Sequence, residues 1–246
     1  MLALSDPARR NARPRFAMCA LPDGSGRLLL HTHRCAEDVL LLETAAQPQA
    51  RLSKAAVRGS AAGSPSPPSR GLHTLTVAAA PPDESGGNPC RTALYLYGGA
   101  PQSGPMFGDL WVLDVDSMTW RQLQPEGPAP HARCSHTAAA AGGASASSSA
   151  SPAGGAGRYL VVAGGSYYTE PGRLQPLADV AVYDTQANRW VEAAVEGPLP
   201  SPRNAAILAP LRSTVDGGSR FVLHGGWWPF VETYNDTYIL TVKEAA

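Results

Sequence analysis

Three times in this chain a strand-forming hydrophobic run closes on a pair of glycines, and a unit repeated in this way settles an architecture before any single element is assigned. The runs are Leu94-Tyr-Leu-Tyr-Gly98-Gly99, Tyr159-Leu-Val-Val-Ala-Gly164-Gly165 and Arg220-Phe-Val-Leu-His-Gly225-Gly226. Each is followed by a loop and then by a second run that opens on aspartate: Asp109–Asp114, Asp179–Asp184 and Asp236–Thr241. In two units a tryptophan stands six residues past the closing aspartate, at Trp120 and Trp190. Gly127-Pro128-x-Pro130-x-x-Arg133 then reappears 70 positions later as Gly197-Pro198-x-Pro200-x-x-Arg203. A weaker copy comes first, with Leu28–Thr32 and Glu37–Glu43 as its two strands and Pro67-x-x-Arg70-x-x-His73 repeating the proline-to-arginine spacing.

Composition agrees with a chain of short strands and many turns. The 246 residues include 25 glycines and 23 prolines, nearly one in five against roughly 12% in average usage, which disfavours a helical bundle. Twenty Lys and Arg balance twenty Asp and Glu, so binding nucleic acid by phosphate neutralisation, or an anionic membrane by a basic patch, finds no support. No apolar run reaches the roughly 18 residues of a membrane span, and Met1–Phe16 has no signal-peptide core, so a soluble, unsecreted chain is expected. Cys19, Cys35, Cys90 and Cys134 form no C-x-x-C pair, which fits reduced thiols in the cytoplasm or nucleus.

Glycine pair, aspartate, tryptophan and Pro-x-x-Arg together resemble the kelch repeat, the four-stranded blade of a β-propeller. The resemblance runs from about Arg13 to Val242 and is most specific in the second and third units. It implies an all-β, kelch-type propeller or partial propeller of about four four-stranded blades. The units span about 13–60, 70–125, 133–195 and 203–242, with 138–157 a low-complexity loop insertion. The first unit lacks the glycine pair and the tryptophan, and the fourth stops after Leu240-Thr-Val. Such rings usually close with about six blades, within the roughly 4–8 of propellers at large.

Within a unit, strand a follows the arginine (Leu72–Ala78, Ser135–Ala141, Ala205–Ala209), b ends in the glycine pair, c opens with aspartate and d carries the tryptophan. Gly98, Gly99, Gly164, Gly165, Gly225 and Gly226 are expected to be structural, as are Trp120 and Trp190, which would pack between neighbouring sheets. Asp, Ser and Asn between the aspartate and the tryptophan supply the c–d turn. A meander puts the b–c and d–a connections on one face and the a–b and c–d connections on the other. The long insertions at 81–91, 138–157 and 210–219 all fall in a–b loops.

The b–c loops are rich in aromatic residues: Met106 and Phe107, Tyr167 and Tyr168, then Trp227, Trp228 and Phe230. Arg70, Arg133 and Arg203 approach the same rim, and tryptophan, tyrosine and arginine are enriched at interface hot spots. These ten residues are the expected partner-binding set, the alternative being that the aromatics fold back over blade ends and the arginines brace backbone carbonyls.

Catalytic and metal signals are thin. His31-x-His33-x-Cys35 would lie on one face of a strand, and Ser135 and His136 would point to opposite faces. Nitrile-specifier relatives of the kelch family carry Glu-x-x-x-Asp-x-x-x-His; here Glu232 and Asp236 are followed by Leu240. No nucleophile elbow, phosphate loop or dinucleotide fingerprint is present. The expectation is a non-catalytic scaffold that binds a protein, with no cofactor and no metal. Two alternatives stand beside it: a small-molecule enzyme or specifier with its site at the channel mouth, and a fragment of a larger kelch protein whose effector domain is missing. Met1–Leu4, leading into Pro7-x-x-Arg10, is a candidate for the strand that the fourth unit lacks, the alternative being a tail on a partial ring.

Overall fold

The computed structural model describes residues 16–21, 25–33, 38–44, 50–59, 66–82, 92–142, 157–170, 172–211 and 218–243. The first blade is β1 (Phe16–Ala20), β2 (Arg27–Thr32), β3 (Asp38–Glu43) and β4 (Arg51–Ala56), an antiparallel meander in chain order. A short β5 (Arg58–Gly59) follows, and β6 (Thr74–Ala79), β7 (Thr92–Tyr97), β8 (Leu110–Asp114) and β9 (Thr119–Leu123) form the second blade. The third is β10 (Thr137–Ala141), β11 (Tyr159–Ala163), β14 (Val180–Asp184) and β15 (Arg189–Val191). Its b–c loop folds into a hairpin of β12 (Ser166–Glu170) and β13 (Arg173–Pro176). The fourth has three strands, β16 (Ile207–Leu211), β17 (Ser219–His224) and β20 (Thr237–Val242), with a two-rung hairpin, β18 (Trp227–Trp228) and β19 (Glu232–Thr233), between the last two.

Central strands are apolar on both faces because each blade is covered by a neighbour on either side. In β7 the five residues Ala93–Tyr97 are all buried, whereas β20, with a neighbour on one side only, alternates exposed and half-buried along its whole length. Three clusters fill the gaps between successive blades. Leu29 and Val39 meet Leu96, Trp111, Leu113 and Trp120; Tyr95, Tyr97, Leu110 and Val112 meet Leu160, Val162, Tyr183 and Trp190; Ala139 and Val161 meet Leu208, Phe221 and Leu223. Each d-strand tryptophan therefore faces the blade before it. Trp190 lies edge-on to Tyr97, ring centroids 5.3 Å apart, and is 2% exposed.

The glycine pair is needed where blades approach. Gly98 has φ +62° and a Cβ there would stand 2.6 Å from the carbonyl oxygen of Arg133 in the next blade; at Gly99, φ +102°, it would stand 2.8 Å from that of Gly71. The c–d turns form as the residue types suggest. The Asp114 carboxylate accepts from the amides of Asp116 and Ser117, Asp184 does the same for Gln186 and Ala187, and Met118 and Asn188 close the turns at positive φ.

Several boundaries differ from expectation. The a strands start two residues later, at Thr74, Thr137 and Ile207, because Leu72, Ser135 and Ala205 adopt φ of 59°, 53° and 51°, incompatible with a strand. Ala138–Ala141 are strand, so the low-complexity insertion begins after them rather than at 138. Gly59, expected to open a loop insertion, instead joins Arg58 in a parallel pairing with Thr119 and Trp120. The proposed closing strand Met1–Leu4 lies outside the described residues, as do Cys35 and Cys90. Among the described residues the outer edge of β20 has no partner strand.

Candidate functional site

Arg70, Arg133 and Arg203 are 0%, 0% and 2% exposed. Each guanidinium is consumed inside its own blade. Arg70 Nη1 and Nη2 donate to Asp109 Oδ1 and Oδ2 at 2.5 and 2.8 Å, Nη1 also to the carbonyl of Gly98, and Nε to that of Pro68. The same four bonds recur from Arg133 to Asp179, Gly164 and His131, and from Arg203 to Asp236, Gly225 and Ser201. A bidentate fork of this kind ties the segment before strand a to the start of strand c. Burial works against the charge on Asp109, yet Arg70 and the indole N–H of Trp111 hold its carboxyl below the usual carboxylate range. Buried and fully bonded, the three arginines are bracing residues and leave the expected contact set.

The loop aromatics divide in two. Phe107 lies over the Arg70 guanidinium at 3.8 Å and Tyr234 over that of Arg203 at 4.5 Å, both two residues before the paired aspartate. Phe107 is thus a lid on the clamp. The others stay accessible. Met106, Tyr167 and Tyr168 come together with Pro105, His131 and Glu170 around a cleft of about 510 Å³ between the loops of the second and third blades. Tyr167 stacks on His131 at 3.9 Å, while Tyr168 is 49% exposed. In the fourth blade Trp227 is 37% exposed and packs edge-on to Phe230, centroids 6.1 Å apart; Trp228 is half-buried. Phe230 itself is 94% exposed, its backbone at φ +62°. The expected set therefore resolves into two accessible groups on the b–c side, one around the Tyr167 cleft and one on the Trp227–Thr233 hairpin.

Histidines expected to be structural form a buried row. His31 Nδ1 lies 3.1 Å from His73 Nε2, and His136 Nε2 lies 2.9 Å from Thr74 Oγ1. Burial first, then the nearby arginines, pull His31 down to about 4 and His136 to about 3, so both are neutral at pH 7. Among the described residues no three His, Cys, Asp or Glu side chains are grouped to hold a metal ion.

Sequence reasoning missed the aspartate side of the clamp. Asp109, Asp179 and Asp236 were read as strand openers, although their once-per-unit occurrence beside a once-per-unit arginine was the available signal.

Comparison with known proteins agrees with this arrangement. A Rab9 effector protein with kelch motifs from Bos taurus is 32% identical over 136 residues, 54% of this chain and 30% of that protein. Acyl-CoA-binding domain-containing protein 4 from Arabidopsis thaliana is 27% identical over 133 residues, 54% of this chain and 16% of that protein. The matches thus span less than a third of either relative. A cryo-EM structure of RAG in complex with one melted RSS and one unmelted RSS shares the fold, with a TM-score of 0.59 at 14% identity over 95% of this chain and 68% of that one. The profile of the KLHDC2/KLHL20/DRC7 Kelch-repeats domain matches residues 31–246, and with it the chain belongs to the Kelch-repeat family.

Proposed function

We propose that this chain is a non-catalytic protein-interaction scaffold that grips its partner with the b–c loop side of the propeller. Kelch-repeat domains are as a class interaction modules rather than enzymes, which supports the scaffold reading. The observation that carries the choice of side is Phe230. A bulky residue at positive φ is a backbone outlier, and such strain concentrates at ligand-contact positions. Here it holds an aromatic ring almost wholly in solvent beside Trp227, with Val231 71% exposed next to it. Tyr168 and Met106 extend the surface across the neighbouring loops.

The test compares wild-type and Phe230→Ala, Trp228→Ala baits by quantitative mass spectrometry, followed by calorimetry on whatever protein the wild type alone retains. A hot-spot aromatic contributes about 2 kcal/mol or more, about 30-fold in affinity. Equal affinity of folded variants for the retained partner would refute the assignment.

A further inference from the structure

The gap between the third and fourth blades is a socket with a repeat-defined shape. In the second blade Leu113 of β8 pairs with Trp120 of β9, and in the third Tyr183 of β14 pairs with Trp190 of β15. Counting from the clamp aspartates, Leu240 of β20 is the equivalent of both. No described strand lies against it. Where the tryptophan would sit there is a cleft of about 1130 Å³, lined by Val182 and Val191 of the third blade, by Leu199 beyond it, and by Tyr238, Leu240 and Val242 of the fourth.

The other wall repeats too. Each d strand is flanked on its far side by the segment leaving the preceding blade, in parallel. Arg58 and Gly59 pair with Thr119 and Trp120; the amide of Glu126 donates to the carbonyl of Asn188, and that of Trp190 donates to the carbonyl of Glu126. The next equivalents are Glu196 and Gly197, 70 residues on. Gly127 has φ +83° and a Cβ there would lie 2.2 Å from the Trp190 carbonyl oxygen, whereas Gly197 holds the same φ, +85°, with nothing within 4 Å. Glu196 has no backbone partner among the described residues. A groove with an antiparallel edge, a parallel edge and an apolar floor is thus preformed for one extended strand. All five tryptophans of the 246 residues, at 111, 120, 190, 227 and 228, already stand elsewhere.

We infer that this groove takes an extended segment of a partner polypeptide, added as the fourth strand of the last blade with a tryptophan or other large aromatic residue opposite Leu240. Backbone bonds to β20 and Glu196 supply affinity, and the cleft reads the aromatic side chain, as in other strand-addition complexes. This surface lies away from the Phe230 hairpin, so the inference stands apart from the reading of the loops.

The probe is a fluorescein-labelled peptide with the sequence of Ser117–Leu123, titrated against the full chain by anisotropy. Saturable binding is expected, at least tenfold weaker for the Trp120→Ala peptide. Gly197→Val fills the contact with the docked strand and should weaken binding at least tenfold without shifting the melting temperature; Leu240→Arg should do the same from the cleft floor. Phe230→Ala should bind the peptide like wild type, which separates this site from the loop surface. Equal binding of both peptides, a Gly197→Val protein that binds normally, or flat titrations throughout would overturn the proposal. So would binding that appears only in a Leu2→Asp, Leu4→Asp variant, which gives the groove to the chain's own N-terminal segment. A dimer that Gly197→Val dissociates would give it to a second copy and overturn it likewise.

Discussion

Replacing Arg70 with methionine separates clamp from contact residue. The variant keeps the aliphatic stem and its packing under Phe107 while removing every donor, so the carbonyls of Gly98 and Pro68 and the Asp109 carboxylate each lose a partner. Deleting one member of a buried ion pair costs about 3–5 kcal/mol, because the charge left behind is neither paired nor hydrated. Asp109 retains the Trp111 N–H at 2.6 Å and its side chain is 19% exposed, which places the cost near the bottom of that range, about 3 kcal/mol. For a chain of this size the melting temperature should fall roughly 6–12 °C. Asp236 is 38% exposed in the corresponding pair, so water recovers more of its charge and Arg203→Met should cost less. Urea denaturation of Arg70→Met, Asp109→Asn and the double variant gives the coupling energy directly, expected to exceed about 1 kcal/mol. A coupling below about 0.5 kcal/mol, or equal losses for Arg70→Met and Arg203→Met, would refute the burial argument.

Two further outcomes are expected. Trp190→Ala empties the centre of the cluster between the second and third blades and should lower stability by about 3–5 kcal/mol in urea melts; an unchanged midpoint would disprove its place in the core. Stability should also fall as the pH drops from about 6.5 towards 4. His31, pulled to about 4, and His136, to about 3, refuse in the folded state the protons that the unfolded chain accepts. Each contributes up to about 1.4 kcal/mol per pH unit across that window, and a urea midpoint independent of pH between 7 and 5 would contradict it.

The repeat was legible because each of its residues answers a backbone requirement that recurs at every blade. Two adjacent positive-φ positions at a point of close approach demand Gly98-Gly99, and a type of turn demands Asp114 and Asp184. The clamp was not legible as a pair. Arg70 and Asp109 are 39 positions apart, Arg133 and Asp179 46, Arg203 and Asp236 33, so no fixed spacing advertises it. Loop insertions of different length scramble that distance while leaving the geometry alone. The β12–β13 hairpin had a local marker, the Pro171-Gly172 dipeptide after Tyr167–Glu170, which is turn chemistry. The β18–β19 hairpin had none, since Phe230 occupies a conformation that glycine or asparagine would normally signal.

Once the arginines are withdrawn, the binding argument changes its physical basis. A rim of cations would act through charge, over distance and with a marked dependence on salt. What the fold presents is instead apolar and polarisable: Met106, Tyr167 and Tyr168 around one cleft, and Trp227, Phe230 and Val231 on one hairpin. Such surfaces work by excluding water at short range, so the partner should meet them with its own apolar side chains, and affinity should vary little between about 0.05 and 0.5 M salt. The arginines matter to this indirectly. Each fixes the start of a c strand against the glycine turn that ends strand b, and those two points are the feet of the loop that carries the aromatics. A loop whose ends are held by a buried ion pair loses less freedom on binding than one hinged on solvent-exposed backbone, and the conserved geometry of the clamp across three blades is what lets loops of quite different sequence present rings from the same side.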